Sequence, residues 1–140
     1  MQKSKRSARE LALNVLYQVD AARLPVEEAL ATALEQSALS ESAKDFTQEL
    51  VRGTLESIRE IDAKLAALSP DWPIDRQTAV DRNSLRLAAF EIDHVESTPD
   101  AVAINEAVEM AKKFSTGESG KFINGVLAAY LRGRATTDGG

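Results

Sequence analysis

The residues Gly117-Glu118-Ser119-Gly120-Lys121 combine small side chains with a cation, a composition that suits contact with phosphate. A nucleotide phosphate loop needs four residues between its glycines and a Ser or Thr after its lysine. Here only Glu118 and Ser119 separate the glycines and Phe122 follows Lys121, so nucleotide binding by this segment is not expected. The same spacing formally matches a clamp that grips nucleic-acid backbones, but that module needs strands and none is legible nearby. What survives is physical. Small residues admit a phosphate close to the backbone, at the start of a helix whose free N–H groups favour anions. The acids Glu27-Glu28, Glu56/Glu60 and Glu106/Glu109 stand at helix-face spacing, which reads as solvated surface rather than as acid–base pairs. His94 has no triad partner and reads as a surface or capping residue. With that single histidine and no cysteine, disulfides, thiolate zinc sites, iron–sulfur clusters and multi-histidine metal sites are excluded. The reading is of a protein that is not an enzyme and carries no cofactor.

The net charge of −5 is unevenly distributed. Lys3, Lys5, Arg6 and Arg9 stand among the first nine residues without an acid. Lys112, Lys113, Lys121, Arg132 and Arg134 meet only one acid, Glu118, across 111–134, and the acids concentrate between these two stretches. A basic patch attracts phosphate within a Debye length of ~10 Å at 0.1 M salt, whatever charge the far side carries. Cations in the first turn of a helix also oppose its dipole, so their presence points to another use, with a solubilising tail as the competing account. Tyr17, Phe114 and Phe122 add aromatic rings, two of them bracketing the glycine-rich segment. Rings beside cations suit single-stranded RNA, which needs base stacking and backbone neutralisation. Phe122 reads equally well as core.

Helices must position these groups. Ala8, Leu11, Ala12, Val15, Leu16 and Val19 form one apolar stripe at helical spacing. Pro25 with Glu27 and Glu28 opens a second helix whose buried face is Ala29, Leu30, Ala33 and Leu34. A third, capped by Ser40 or Ser42, keeps its spacing from Phe46 to Leu68, with Gly53 as a point of kinking or close contact. Ser69-Pro70-Asp71-Trp72-Pro73 breaks the pattern and predicts a hinge between an N-terminal subdomain (1–69) and a C-terminal one (74–133). Leu85, Ala88, Ala89 and Ile92 mark the next principal helix, after a short helical stretch near Ile74–Val80. A helix capped by Asp100 follows, and one that carries Phe122, Val126, Leu127 and Tyr130 stops at Gly133. Residues 134–140 read as a disordered tail. No segment alternates with period two, so the fold class is all-α. The 140 residues suit one domain. No apolar run approaches the ~20 residues that span a bilayer, and no signal-peptide pattern follows the basic start. A cytoplasmic protein without a membrane association is expected.

Val102-Ala103-Ile104-Asn105-Glu106-Ala107-Val108-Glu109-Met110-Ala111-Lys112-Lys113-Phe114, followed by Lys121-Phe122-Ile123-Asn124-Gly125-Val126-Leu127, closely resembles the C-terminal signature of the bacterial NusB antitermination family. Arg6-Ser7-Ala8-Arg9-Glu10-Leu11-Ala12-Leu13, running to Leu16-Tyr17, and Val80-Asp81-Arg82-Asn83-Ser84-Leu85-Arg86-Leu87-Ala88-Ala89-Phe90-Glu91 agree with it too. The resemblance covers nearly the whole chain. It implies a seven-helix fold of two packed helical subdomains. It also implies binding of single-stranded box A RNA of ribosomal RNA leaders, jointly with the ribosomal protein NusE, in a complex with other Nus factors and RNA polymerase that suppresses termination. The RNA-binding set it implies is Lys3, Lys5, Arg6, Arg9, Tyr17, Lys113, Phe114, Glu118, Lys121 and Phe122, with Asp81 as the NusE contact, exposed opposite the Leu85/Ala88/Ala89 stripe. Asn105 and Asn124, mediocre helix formers, are read as structural, satisfying backbone groups at helix junctions. Two other readings stand beside this one. The related N-terminal domain of ribosomal RNA cytosine methyltransferases lacks support, since there is no cysteine nucleophile and no cofactor loop. A helical interaction protein, a homodimer or larger oligomer that masks its RNA face until it dissociates, remains open.

Overall fold

The computed structural model describes the backbone of residues 2–73 and 76–139 and the side chains of 5–73 and 76–133. Lys3 and the 134–140 tail lie outside the described side chains. Among the described residues the chain is all-helical: α1 (Gln2–Ala21), α2 (Val26–Gln36), α3 (Glu41–Glu56), α4 (Ile58–Leu68), α5 (Ala79–His94), α6 (Asp100–Phe114) and α7 (Gly117–Gly139). None of these helices is long and apolar enough to cross a membrane. They form two compact units, Met1–Glu56 and Ser57–Gly140.

The first unit holds α1, α2 and α3, each in contact with the other two. The expected stripe of α1 is buried at Ala8, Ala12, Val15 and Leu16, while Leu11 is only partly covered. Ala29 and Leu30 of α2 and Ala43, Leu50 and Val51 of α3 are buried as well. Thr47 Oγ1 of α3 donates to the carbonyls of Ala8, at 3.3 Å, and Ala43, at 3.0 Å. The hydroxyl thereby fixes α3 against α1 without leaving a buried donor unmade. Ser40 caps α3, its Oγ accepting from the Ala43 N–H at 3.3 Å.

The predicted long helix from Phe46 to Leu68 is two helices. It is interrupted at Ser57, whose φ of −101° and ψ of 9° leave the helical region. Gly53 does not break it and lies inside α3. The boundary between compact units falls at this interruption, and not at the Pro70–Pro73 segment where the subdomain hinge was expected. Helix α4 contacts α5 and α7.

In the second unit α5 contacts α4, α6 and α7. Its side chains from Asn83 to Ile92 are all buried, so the helix has no solvent face along that stretch. Thr78 caps α5 by accepting from the Asp81 N–H at 3.1 Å. Asp100, expected as a cap, is instead the first residue of α6 behind Pro99. Helix α7 begins at Gly117, so the glycine-rich segment is a helical first turn rather than a loop. A Cβ on Gly120 would meet Lys112 Cγ at 3.0 Å, which identifies this glycine as the place where α7 closes on α6. The expected stop at Gly133 is absent: no glycine among the described residues has positive φ, the αL cap does not form, and α7 continues.

Candidate nucleic-acid interface

The predicted RNA-binding residues divide between the two units. On the first, α1 carries Lys5, Arg6, Arg9 and Tyr17. Lys5 and Arg6 are exposed and Tyr17 is 43% exposed. Arg9 departs from the expectation, being only 3% exposed. It follows Ala8 into the buried side of α1, and its Cζ lies 5.5 Å from the centre of the Phe46 ring on α3. Lys5 Nζ lies 5.5 Å from the same ring. One aromatic ring therefore attracts two cations one helical turn apart, an interaction of about 0.5–1 kcal/mol for an exposed cation such as Lys5 and up to about 2 kcal/mol for a desolvated one such as Arg9. Phe46 belongs to the apolar pattern of its helix, and nothing in that pattern distinguishes it from a purely core ring.

On the second unit, Lys112, Lys113 and Phe114 end α6, all three exposed, with Phe114 at 46%. The lysines also suit the negative end of the helix dipole. Lys113 Nζ sits 5.3 Å from the centre of the Phe114 ring, and Lys112 pairs with Glu109 at 3.6 Å. After two intervening residues α7 begins, with Glu118 and Lys121 exposed and Phe122 half-buried. Phe122 thus combines a packed side with an accessible one. Trp72, from the segment between α4 and α5, meets Phe122 edge-on with centroids 6.5 Å apart and an interplanar angle of 61°.

Hydroxyls hold this turn. Thr116 caps α7 by accepting from the Ser119 N–H at 3.1 Å, and Ser119 Oγ lies 3.0 Å from Ser115 Oγ. Ser119 Oγ also donates to Asp81 Oδ2 at 3.0 Å. Asp81 is therefore not exposed, contrary to the expectation from its place opposite the Leu85/Ala88/Ala89 stripe. It is 7% exposed, because the solvent side expected for α5 is covered. Asp81 instead anchors the turn that presents Glu118, Lys121 and Phe122. Asn105 and Asn124 are corrected in the opposite sense. Both are exposed, on the sides of α6 and α7 away from the buried Ala103/Ala107 and Ile123/Leu127 positions. His94 is exposed at the end of α5 beside Phe90, with ring centroids 5.0 Å apart.

The second unit therefore presents cations beside accessible rings, and the first presents exposed cations and an exposed ring, Tyr17, along one helix; such groups can neutralise phosphates and stack unpaired bases. Comparison with known proteins gives one consistent family. The profile described as the NusB family matches residues 6–132. The transcription antitermination protein NusB of Symbiobacterium thermophilum is 43% identical over 138 residues, covering 93% of this chain and 90% of that protein. The protein of the same name from Desulforamulus reducens is 42% identical over 127 residues, covering 91% of this chain and 89% of its own. Among solved structures, NusB of T. maritima superposes with a TM-score of 0.86 at 32% identity, over 91% of this chain and 90% of that one. A chain from a crystal structure of the antitermination factors NusB and NusE in complex with double-stranded RNA superposes with a TM-score of 0.87 at 29% identity. That match covers 95% of this chain and 99% of the other.

Proposed function

The chain belongs to the NusB family, and from that premise we propose that it is a transcription antitermination factor. It binds box A RNA of ribosomal RNA leader transcripts together with NusE and, with other Nus factors, suppresses termination by RNA polymerase. It acts in the cytoplasm, as one RNA-binding domain, and works by binding rather than by catalysis.

The observation that carries this reading is the junction of α6 and α7, where Lys113, Phe114 and Lys121 are exposed and Phe122 is half-buried. Lysine there supplies the sequence-independent phosphate term. The rings supply stacking, which requires unpaired bases, and this favours single-stranded box A RNA over a closed duplex. Lys5, Arg6 and Tyr17 contribute a second set of contacts of the same chemistry. Arg9 supports that set from beneath through Phe46, and Asp81 supports the junction through Ser119. Glu118, an exposed carboxylate among lysines, either repels phosphate or accepts a hydrogen bond from a base amino group.

Single-round transcription tests the function. On a template with a box A leader upstream of a terminator, adding the chain with NusE and the other Nus factors should raise read-through. A scrambled box A should abolish the gain. Equal read-through with and without the chain would overturn the assignment.

A further inference from the structure

Trp72 is the sole tryptophan of the chain and is 53% exposed. Leaving half an indole in water forgoes burial that would otherwise stabilise the fold. Yet the segment that carries it is firmly held. The Trp72 N–H donates to the Ser69 carbonyl at 3.0 Å, and the Trp72 carbonyl accepts from Gln77 Nε2 at 3.1 Å. Ser69 and Gln77 are themselves buried, Ser69 Oγ donates to the Leu65 carbonyl at 3.1 Å, and Arg82 Nη1 donates to the Gln77 carbonyl at 2.7 Å. Pro70 and Pro73 flank the position and restrict the backbone further. The indole is thus presented outward by an ordered backbone.

Its neighbour is Phe122, at an interplanar angle of 61°. An edge-to-face contact occupies one edge or one face of the indole and leaves another face open. Lys121 precedes Phe122 and is exposed; in the sequence of 71–76 the acids Asp71 and Asp75 outnumber Arg76, so Lys121 is the cation that the contact offers. We propose that Trp72 is a base-stacking contact, forming with Phe122 a two-ring platform for an unpaired RNA base beside the Lys121 cation. The inference rests on the RNA-binding reading above and adds to it a residue outside α6 and α7. Open aromatic faces beside an exposed lysine match an unpaired base and its phosphate. The platform is tolerant of base identity, since every base has a π face.

Because Trp72 is the only tryptophan, its fluorescence reports this site alone. Single-stranded box A RNA is titrated into the full chain while the anisotropy of a dye on the RNA reports binding independently. Quenching that saturates at the anisotropy midpoint is the expected result. Trp72→Ala should weaken RNA binding by about 5- to 100-fold, the range of one lost stacking contact, and Trp72→Phe should recover most of the loss. The slope of log affinity against log salt should not change, because no phosphate contact is removed. Saturating anisotropy with unchanged fluorescence and full affinity in Trp72→Ala would overturn the platform and leave the RNA-binding reading intact. So would a Trp72→Ala variant that loses NusE binding alone, since the surface would then serve a protein. If Trp72→Ala fails to fold, the wild-type quench and Trp72→Phe still decide. Absence of RNA binding by the wild-type chain, alone and with NusE, would overturn both.

Discussion

Replacing Asp81 separates its buried geometry from the exposed role that its place in the sequence suggested. The side chain is 7% exposed, Oδ2 accepts from Ser119 Oγ at 3.0 Å, and Oδ1 is buried without a hydrogen-bond partner among the described residues. Asp81→Asn retains an acceptor for Ser119 and removes a desolvated charge, so the change should lie within about 1 kcal/mol of zero. Asp81→Ala removes a charge-assisted hydrogen bond and an anion from the first turn of α5, together about 2 kcal/mol. Asp81→Lys buries an unpaired cation at the positive end of that helix and should cost about 3–5 kcal/mol. Urea unfolding followed by far-UV circular dichroism measures each step. A double-mutant cycle of Asp81→Ala with Ser119→Ala should show coupling of about 1 kcal/mol. Additivity within about 0.4 kcal/mol, together with a tolerated lysine, would refute the buried anchor.

Alanine at both Lys5 and Arg6 should flatten the log–log salt dependence of RNA binding by about 1.4, from ~0.7 per phosphate contact on a single strand. An unchanged slope would make the N-terminal cations a solvated tail. Glu118→Gln should tighten binding to RNA severalfold at low salt, with the gain shrinking as salt rises. Equal gains on box A and a scrambled control mean plain repulsion, a loss on box A alone means that the carboxylate reads a base, and no change on either removes Glu118 from the RNA face. Arg52 donates to Glu27, with Nη2 and Oε2 3.0 Å apart, and this bond holds the Glu27 carboxyl below the ordinary carboxylate range. A folded value below the unfolded one means that the stabilisation is present above the ordinary range and is lost as pH falls through the folded value. Glu27→Gln should therefore leave stability at acid pH unchanged, lower it slightly near neutrality, the pair being exposed, and so flatten the acid limb by that small amount. Superimposable acid limbs would contradict this.

Elements with a strong local signal were legible in the sequence. The α1 stripe, the break after Leu68, the helical reading throughout and the cation–aromatic composition near Phe114 and Phe122 all follow from period and residue type. What was hidden depends on tertiary cover. Asp81, Asn105 and Asn124 all sit on helices, and period alone does not say how many neighbours a helix has. Helix α5, in contact with three others, covers Asp81 on the side where solvent was expected. The surface positions of α6 and α7 leave both asparagines in water. The interruption at Ser57 carries no proline and no glycine, so the apolar spacing reads straight through it. Trp72 appeared only as part of a break, because its exposure and its contact with Phe122 arise from a backbone held by Ser69 and Gln77.

The central claim, joint recognition of box A RNA, is tested most directly by a gel shift. A single-stranded box A RNA and a scrambled RNA of equal length are each titrated with the chain, with and without NusE. The chain alone should shift box A RNA weakly, and NusE should lower the concentration needed while leaving the scrambled RNA little affected. Equal shifts of both RNAs, or a box A midpoint that NusE leaves unchanged, would contradict the account.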